Sequence, residues 1–332
     1  MSGTLLNENN GTYRMNVATA LNSKYVRYTY VMLTSLFINN PHADIHVYLL
    51  HSELTVSEQE TLQSLAAQHQ NKIHFLYIDR NEFSKELPTN DMWSLETYFR
   101  LKLLDIVPSD VERLLYLDVD MIINKDLREL YLEPFDGNYF VACKDMTVDF
   151  PKNDIRDLIF QKYIEKGFTY FNAGLMLWNI SDLRGNYCFA DYMTLAKQLN
   201  YQMLAPDQDL LNFMHYGQVK FVDEYQYDLF SLMAYNFGIR YAEVKEQTSI
   251  IHFAGYKPWQ GEFVHYDIEQ LWWDYAKQTP FYYELMEEFL AACIGNPLVA
   301  DTMTSLSEEK KNLAAELSKS SELCNKLLQL LK

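Results

Sequence analysis

Cysteine is scarce in this 332-residue chain, and its four copies, Cys143, Cys188, Cys293 and Cys324, show no close spacing. That argues against a thiolate metal cluster and fits thiols that stay reduced in a cytosolic protein. Basic residues are also few: 28 Lys and Arg stand against 45 Asp and Glu, a formal charge of −17. Such a balance disfavours broad nucleic-acid binding. It does not exclude a small anionic substrate, because a metal ion and one or two basic side chains can reverse the field locally. No apolar run approaches the length that spans a bilayer, and no charged-then-apolar leader opens the sequence. The expected setting is cytoplasmic, with peripheral contact at the inner face of the membrane left open.

What the chain has is apolar and aromatic mass. A hydrophobic fraction of 48 %, with 19 phenylalanines and 25 tyrosines, supports a substantial core. The length suits one large α/β domain, or a domain with an appendage. Residues Met1 to Arg14 read as a polar extension. Asn16 to Ala20 then reads as a strand, Tyr25 to Asn39 as a helix stopped by Asn40-Pro41, and Ile45 to Leu50 as a second strand. Leu54 to Gln70 continues as a helix and Ile73 to Ile78 as a strand, which is the opening of an α/β domain.

The central stretch is RLLYLDVDMIINKDLREL, from Arg113 to Leu130. An apolar strand delivers Asp118 and Asp120, one residue apart, and in extended backbone such a pair projects to one side while Val119 turns back into the protein. Two carboxylates there could hold magnesium or manganese, which favour oxygen ligands. By itself the triplet reads equally well as two solvated aspartates at a strand end. Further on, Phe168 to Ile180 is strand-like but contains Gly174, as expected where backbone or ligand approaches closely, or from simple sheet packing. Asp207-Gln208-Asp209 opens a helix, with Asp207 either capping it or facing a ligand. Ser249 to Phe253 is a late strand leading to His252, Gly255, Lys257 and Trp259. There an imidazole could ligate metal and an ammonium could meet phosphate. From Asp301 the composition changes. Leu313, Leu317, Ser320, Cys324, Leu327 and Leu331 follow a seam spacing of four and three, which suits a short coiled coil, an amphipathic surface helix or a helix packed on its own domain.

Taken in order, ETYFRLKL, LLYLDVDMIINKDL, YFNAGLMLWNI, DQDLLN and HFAGYKPW resemble glycosyltransferase family 8 over roughly Asn16 to Tyr275. The resemblance implies a GT-A type nucleotide-diphospho-sugar transferase, an α/β fold with a mixed central sheet flanked by helices. Its catalytic domain would span 16–275, after an extension at 1–15 and before a helical cover at 276–300 and a tail at 301–332. It further implies Mn2+, with Mg2+ as the alternative, on Asp118, Asp120 and His252, and UDP-galactose or UDP-glucose as donor. Ala20, Asn22 and Tyr25 would hold uridine, with Tyr25 stacked on uracil. Gly255 and Lys257 would meet the diphosphate, with Val119 beside the metal-binding pair. Arg100, Asp145, Asn172, Ala173 and Asp207 would line the sugar cleft, and Gln208 would lie near the anomeric carbon. Arg100, Asn172, Asp207 and Gln208 are thus the candidate catalytic set.

Two departures stand out. Asn22 replaces a common acidic residue, and the step from Gly255 to Lys257 is one residue shorter than usual. The acceptor would be a glycan or glycolipid, chosen by Asn81 to Asp91 and Asp149 to Lys166. Nucleic acid is not expected as a partner, and the tail leaves self-association open. The rivals are a noncatalytic sugar-nucleotide or glycan binder and an aspartate-nucleophile phosphatase. Against the phosphatase, Met121-Ile122 stands where its loop would need small hydroxyl and glycine residues.

Overall fold

The apolar segments form strands of one main sheet in a computed structural model that describes residues 6–7, 12–90, 94–147, 169–261, 265–295, 305 and 307–321. In chain order the strands are β1 (Leu6–Asn7), β2 (Thr12–Ala20), β3 (Ala43–His51), β4 (Lys72–Tyr77), β5 (Arg113–Leu117), β6 (Met121–Ile123), β7 (Phe140–Lys144), β8 (Phe171–Asn179), β9 (Val219–Val222), β10 (Leu229–Phe230) and β11 (Ile250–His252). The main sheet runs β4-β3-β2-β5-β8-β7-β9, with β1 paired to β2. It is mixed: β8 lies antiparallel between β5 and β7, while β2, β3, β4 and β5 are mutually parallel. A second sheet, β10-β11-β6, is small.

Strand β2 begins at Thr12, four residues before the expected Asn16, because Tyr13 and Met15 point into the core at 2 % and 0 % exposure. The polar look of the first fourteen residues hides the inward Tyr13, and Met15 follows on the same face. Helix Val26–Asn39 is buried on most of its surface, as its largely apolar sequence requires. It holds β6 through side chains: Ser35 Oγ accepts from Ile123 N–H at 3.0 Å, and Asn39 Nδ2 donates to the Ile123 carbonyl at 2.9 Å. Helix Val56–Gln68 starts on a capping box made by Thr55 and Glu58. All nine residues of β8 are buried, so this strand forms the middle of the core.

The chain divides into two compact units, the first comprising Met1–Gly255 with Tyr266–Thr279 and the second Tyr256–His265 with Pro280–Lys332. In the second unit, Gly261 lies so close to helix Tyr282–Gly295 that a Cβ would meet the Phe289 carbonyl at 2.3 Å. Residues 256–265 thus fall with the C-terminal unit, and 276–279 with the first. Of the tail, 307–321 is helical and exposed, while Cys324, Leu327 and Leu331 lie outside the described residues, as does Asp149 to Lys166. No described helix is long and apolar enough to cross a membrane.

Candidate active site

Asp118 and Asp120 sit between β5 and β6, where the backbone turns. Asp118 N–H donates to the Gly174 carbonyl in β8 at 2.9 Å, and Phe253 N–H donates to the Asp120 carbonyl at 2.9 Å. Because β11 pairs antiparallel with β6, His252 lies opposite Met121, next to Asp120. Ligand atoms of Asp118, Asp120 and His252 consequently fall within 4.8 Å of one another, and His252 Nε2 is 3.4 Å from Asp120 Oδ1. One expectation needs correcting: Val119 is half-buried rather than packed into the interior, because residues 119 and 120 form a turn and not extended strand.

Gly174 is where three side chains crowd. A Cβ there would meet His252 Cε1 at 2.6 Å, Asn172 Oδ1 at 2.8 Å and Asp118 Oδ2 at 2.8 Å. The close approach anticipated for this glycine is therefore by side chains of the cluster itself. Two carboxylates and an imidazole form a donor set that suits Mn2+, with Mg2+ satisfied by the oxygens. The spacing fits as well, since neighbouring ligands on an octahedral ion with ~2.1 Å bonds lie about 3 Å apart.

Arg100 lies next to this cluster, 4 % exposed. Its Nη2 donates to Asp118 Oδ1 at 2.8 Å, its Nε pairs with Asp207 Oδ2 at 2.8 Å, and its Nη1 donates to the Ala173 carbonyl. The guanidinium carbon also sits 4.2 Å from the centroid of the Tyr116 ring. Burial pushes the Arg100 pKa down, but Asp118 and Asp207 more than offset it and the net direction is up. Asp207 is itself pushed up to about 6, chiefly by burial, with Arg100 pulling the other way.

Gln208 is fixed at both ends of its amide. The nitrogen donates to Asp145 Oδ2 at 2.9 Å, and the oxygen accepts from Ala173 N–H at 2.8 Å and Asn172 Nδ2 at 3.0 Å. Asp145 in turn accepts from Thr147 N–H at 2.8 Å and from its hydroxyl at 2.6 Å. Asn172 Oδ1 accepts from Gly174 N–H at 2.8 Å, which joins this network to the acidic cluster.

The first turn after β2 places Ala20, Asn22 and Tyr25 at the strand's C-terminal end. Asn22 Oδ1 accepts Lys24 N–H at 3.1 Å and so caps the short helical turn Ser23–Tyr25, leaving one lone pair for another donor. Tyr25 has a raised pKa, first from burial and then from the Asp120 and Asp118 charges, so its phenol stands within their field. Gly255 adopts φ +90°, a conformation that favours glycine. Lys257 belongs to the second unit, where its N–H donates to Gln260 Oε1 at 2.9 Å.

One buried carboxylate carries no signal in the sequence. Asp228 Oδ1 lies 2.9 Å from His252 Nδ1, and the residue is fully buried. Burial, the largest influence on His252, lowers its pKa, but Asp120 and Asp228 together outweigh this and raise it to about 10.

The sequence profile described as glycosyl transferase family 8 matches residues 16–262. A Haemophilus influenzae protein, named only provisionally as a glycosyltransferase, is 30 % identical over 63 % of this chain and 62 % of its own length. A lipopolysaccharide 1,2-glucosyltransferase of Escherichia coli is 26 % identical over 74 % of this chain and 73 % of its own length. Among solved structures, the galactosyltransferase LgtC in complex with donor and acceptor sugar analogs superposes with a TM-score of 0.67. It is 21 % identical, covering 80 % of this chain and 96 % of that one, and shows the fold as GT-A-like. With its family profile spanning well over half of the sequence, the chain belongs to glycosyltransferase family 8.

Proposed function

We propose that this chain is a retaining hexosyltransferase that moves galactose or glucose from a UDP-sugar to a hydroxyl of a glycan or glycolipid. The observation that carries the reading is the convergence of Asp118, Asp120 and His252, with buried Arg100 and the locked Gln208 beside them. The relatives' names support a hexose: one is a glucosyltransferase acting on lipopolysaccharide and another a galactosyltransferase.

Bound by Asp118, Asp120 and His252, a divalent ion would supply positive charge at the diphosphate and stabilise its departure. Arg100 aims Asp118 by holding one of its oxygens. Asp207 and Asn172 are assigned the donor sugar, and Lys257 the diphosphate. Gln208 has its oxygen committed to Ala173 N–H and Asn172 and its nitrogen to Asp145. An amide so held orients a substrate and is a poor nucleophile. This supports attack by the acceptor hydroxyl from the face the diphosphate leaves, with the departing phosphate oxygen taking the proton.

The test is a panel of nucleotide sugars with Mn2+ and mixed glycan acceptors, read by product mass spectrometry and by anomeric analysis of the product. A hexose adduct with retained configuration is expected. Binding of UDP-sugar without turnover across the panel would instead identify a noncatalytic binder, and release of phosphate from simple monoesters would point to a phosphatase.

A further inference from the structure

Strand β10 is two residues long, yet both its flank and its end are spent on one imidazole. It runs parallel to β11, with Phe230 opposite His252. The Phe230 ring meets the imidazole edge-to-face, with centroids 5.0 Å apart and planes at 85°. Two residues earlier, Asp228 closes the helical turn Glu224–Tyr227 and puts Oδ1 at 2.9 Å from His252 Nδ1. Asp228 is 0 % exposed, and its other oxygen has no hydrogen-bond partner among the described residues. A carboxylate so placed is destabilising unless a cation or a strong donor faces it.

We propose that Asp228 is a positioning residue for divalent-ion binding: by accepting from Nδ1–H it holds that proton and the His252 ring in place, so that Nε2, toward Asp118 and Asp120, is the nitrogen an ion would take. This rests on the metal-site reading given above. The rival explanation is a core histidine satisfied by a core aspartate. The surroundings of His252 weigh against it, because Nε2 faces Asp120 at 3.4 Å and Gly174 makes room at Cε1. A carboxylate on the far nitrogen selects the tautomer and raises the basicity of the near one.

The experiment is a Mn2+ titration of the purified full chain, followed by the electron paramagnetic resonance signal of free Mn2+. Asp228→Asn is expected to weaken binding about 10-fold and Asp228→Ala up to about 100-fold. In a His252→Asn background, Asp228→Asn should add no further loss, because Asp228 acts through that ring. An equal loss in both backgrounds would assign Asp228 a merely structural role, and unchanged affinity in Asp228→Asn would likewise overturn the inference. A wild-type chain that binds no Mn2+ would strike the metal site itself, which is a separate failure. Should the variants fail to fold, 15N-histidine spectra of the wild type loaded with Zn2+ decide. His252 must then carry its proton on Nδ1, and the opposite tautomer refutes the assignment.

Discussion

Gly174 shows how a single missing atom can shape a site. A Cβ here would overlap His252 and Asp118 at once, so Gly174→Ala should spread two of the three candidate ligands. The expected cost is about 1–3 kcal/mol in urea unfolding, with weaker Mn2+ binding in the same protein. Its neighbour Asp120 acts differently. Asp120→Asn and Asp118→Asn keep side-chain shape but lose charge, and each should cut metal-dependent transfer by about 100-fold or more while leaving the circular dichroism spectrum intact. Normal turnover in both would remove the metal role. Arg100→Ala is the structural counterpart, since it strands buried Asp207. A loss of about 3–5 kcal/mol is expected in denaturant melts. Of these residues, the acidic pair and His252 were legible in the sequence as chemical types at strand ends. Asp228 was not, because it joins a four-residue helical turn to a two-residue strand, and neither is long enough to carry a periodicity.

Helix Pro206–Met214 carries function and anchorage on the same nine residues. Asp207 and Gln208 face the site, whereas Asn212 bonds both backbone groups of Phe171, accepting from its N–H at 2.9 Å and donating to its carbonyl at 2.8 Å. Asp209 accepts from Leu204 N–H at 2.7 Å and Ala205 N–H at 3.0 Å. The run DQDLLN announced a helix start, and local spacing could not say which aspartate would hold the preceding backbone. At the other end, His215 is buried among Tyr139, Phe140, Tyr187 and Tyr192, bonded through Nε2 to the Tyr192 hydroxyl at 2.8 Å. Burial pushes its pKa down to about 3 from the usual 6.5. The unfolded chain therefore binds more protons in that interval, so the contribution of neutral His215 is complete above about pH 6.5 and is lost as pH falls toward 3. Comparison of wild type with His215→Asn isolates this dependence. The wild type should lose up to about 5 kcal/mol more over the window, since each tenfold difference in proton affinity is worth ~1.4 kcal/mol. Parallel curves would refute it.

At the scale of the molecule, the strand order was readable because strands buried on both faces read as near-continuous apolar runs, as in β8. The convergence of Asp118, Asp120 and His252 was not readable from spacing alone, since it depends on which distant strands pair; family resemblance supplied it. The tail is a separate matter. Its helix 307–321 exposes Leu313 and Leu317 at 60 % and 73 %, the edge on which the expected coiled coil or surface helix would rest. A chain cut after Asp301 should keep donor hydrolysis and lose mass in light scattering or binding in liposome sedimentation; no change in either would reject both roles. The pairing of β6 with β11 has a consequence in time. Asp118 and Asp120 leave the ribosome early, but the hydrogen bond from Phe253 to Asp120 and the third ligand arrive only with β11. A nascent chain stalled before Ile250 therefore lacks the third candidate ligand, and the complete donor set exists only once β11 has paired with β6.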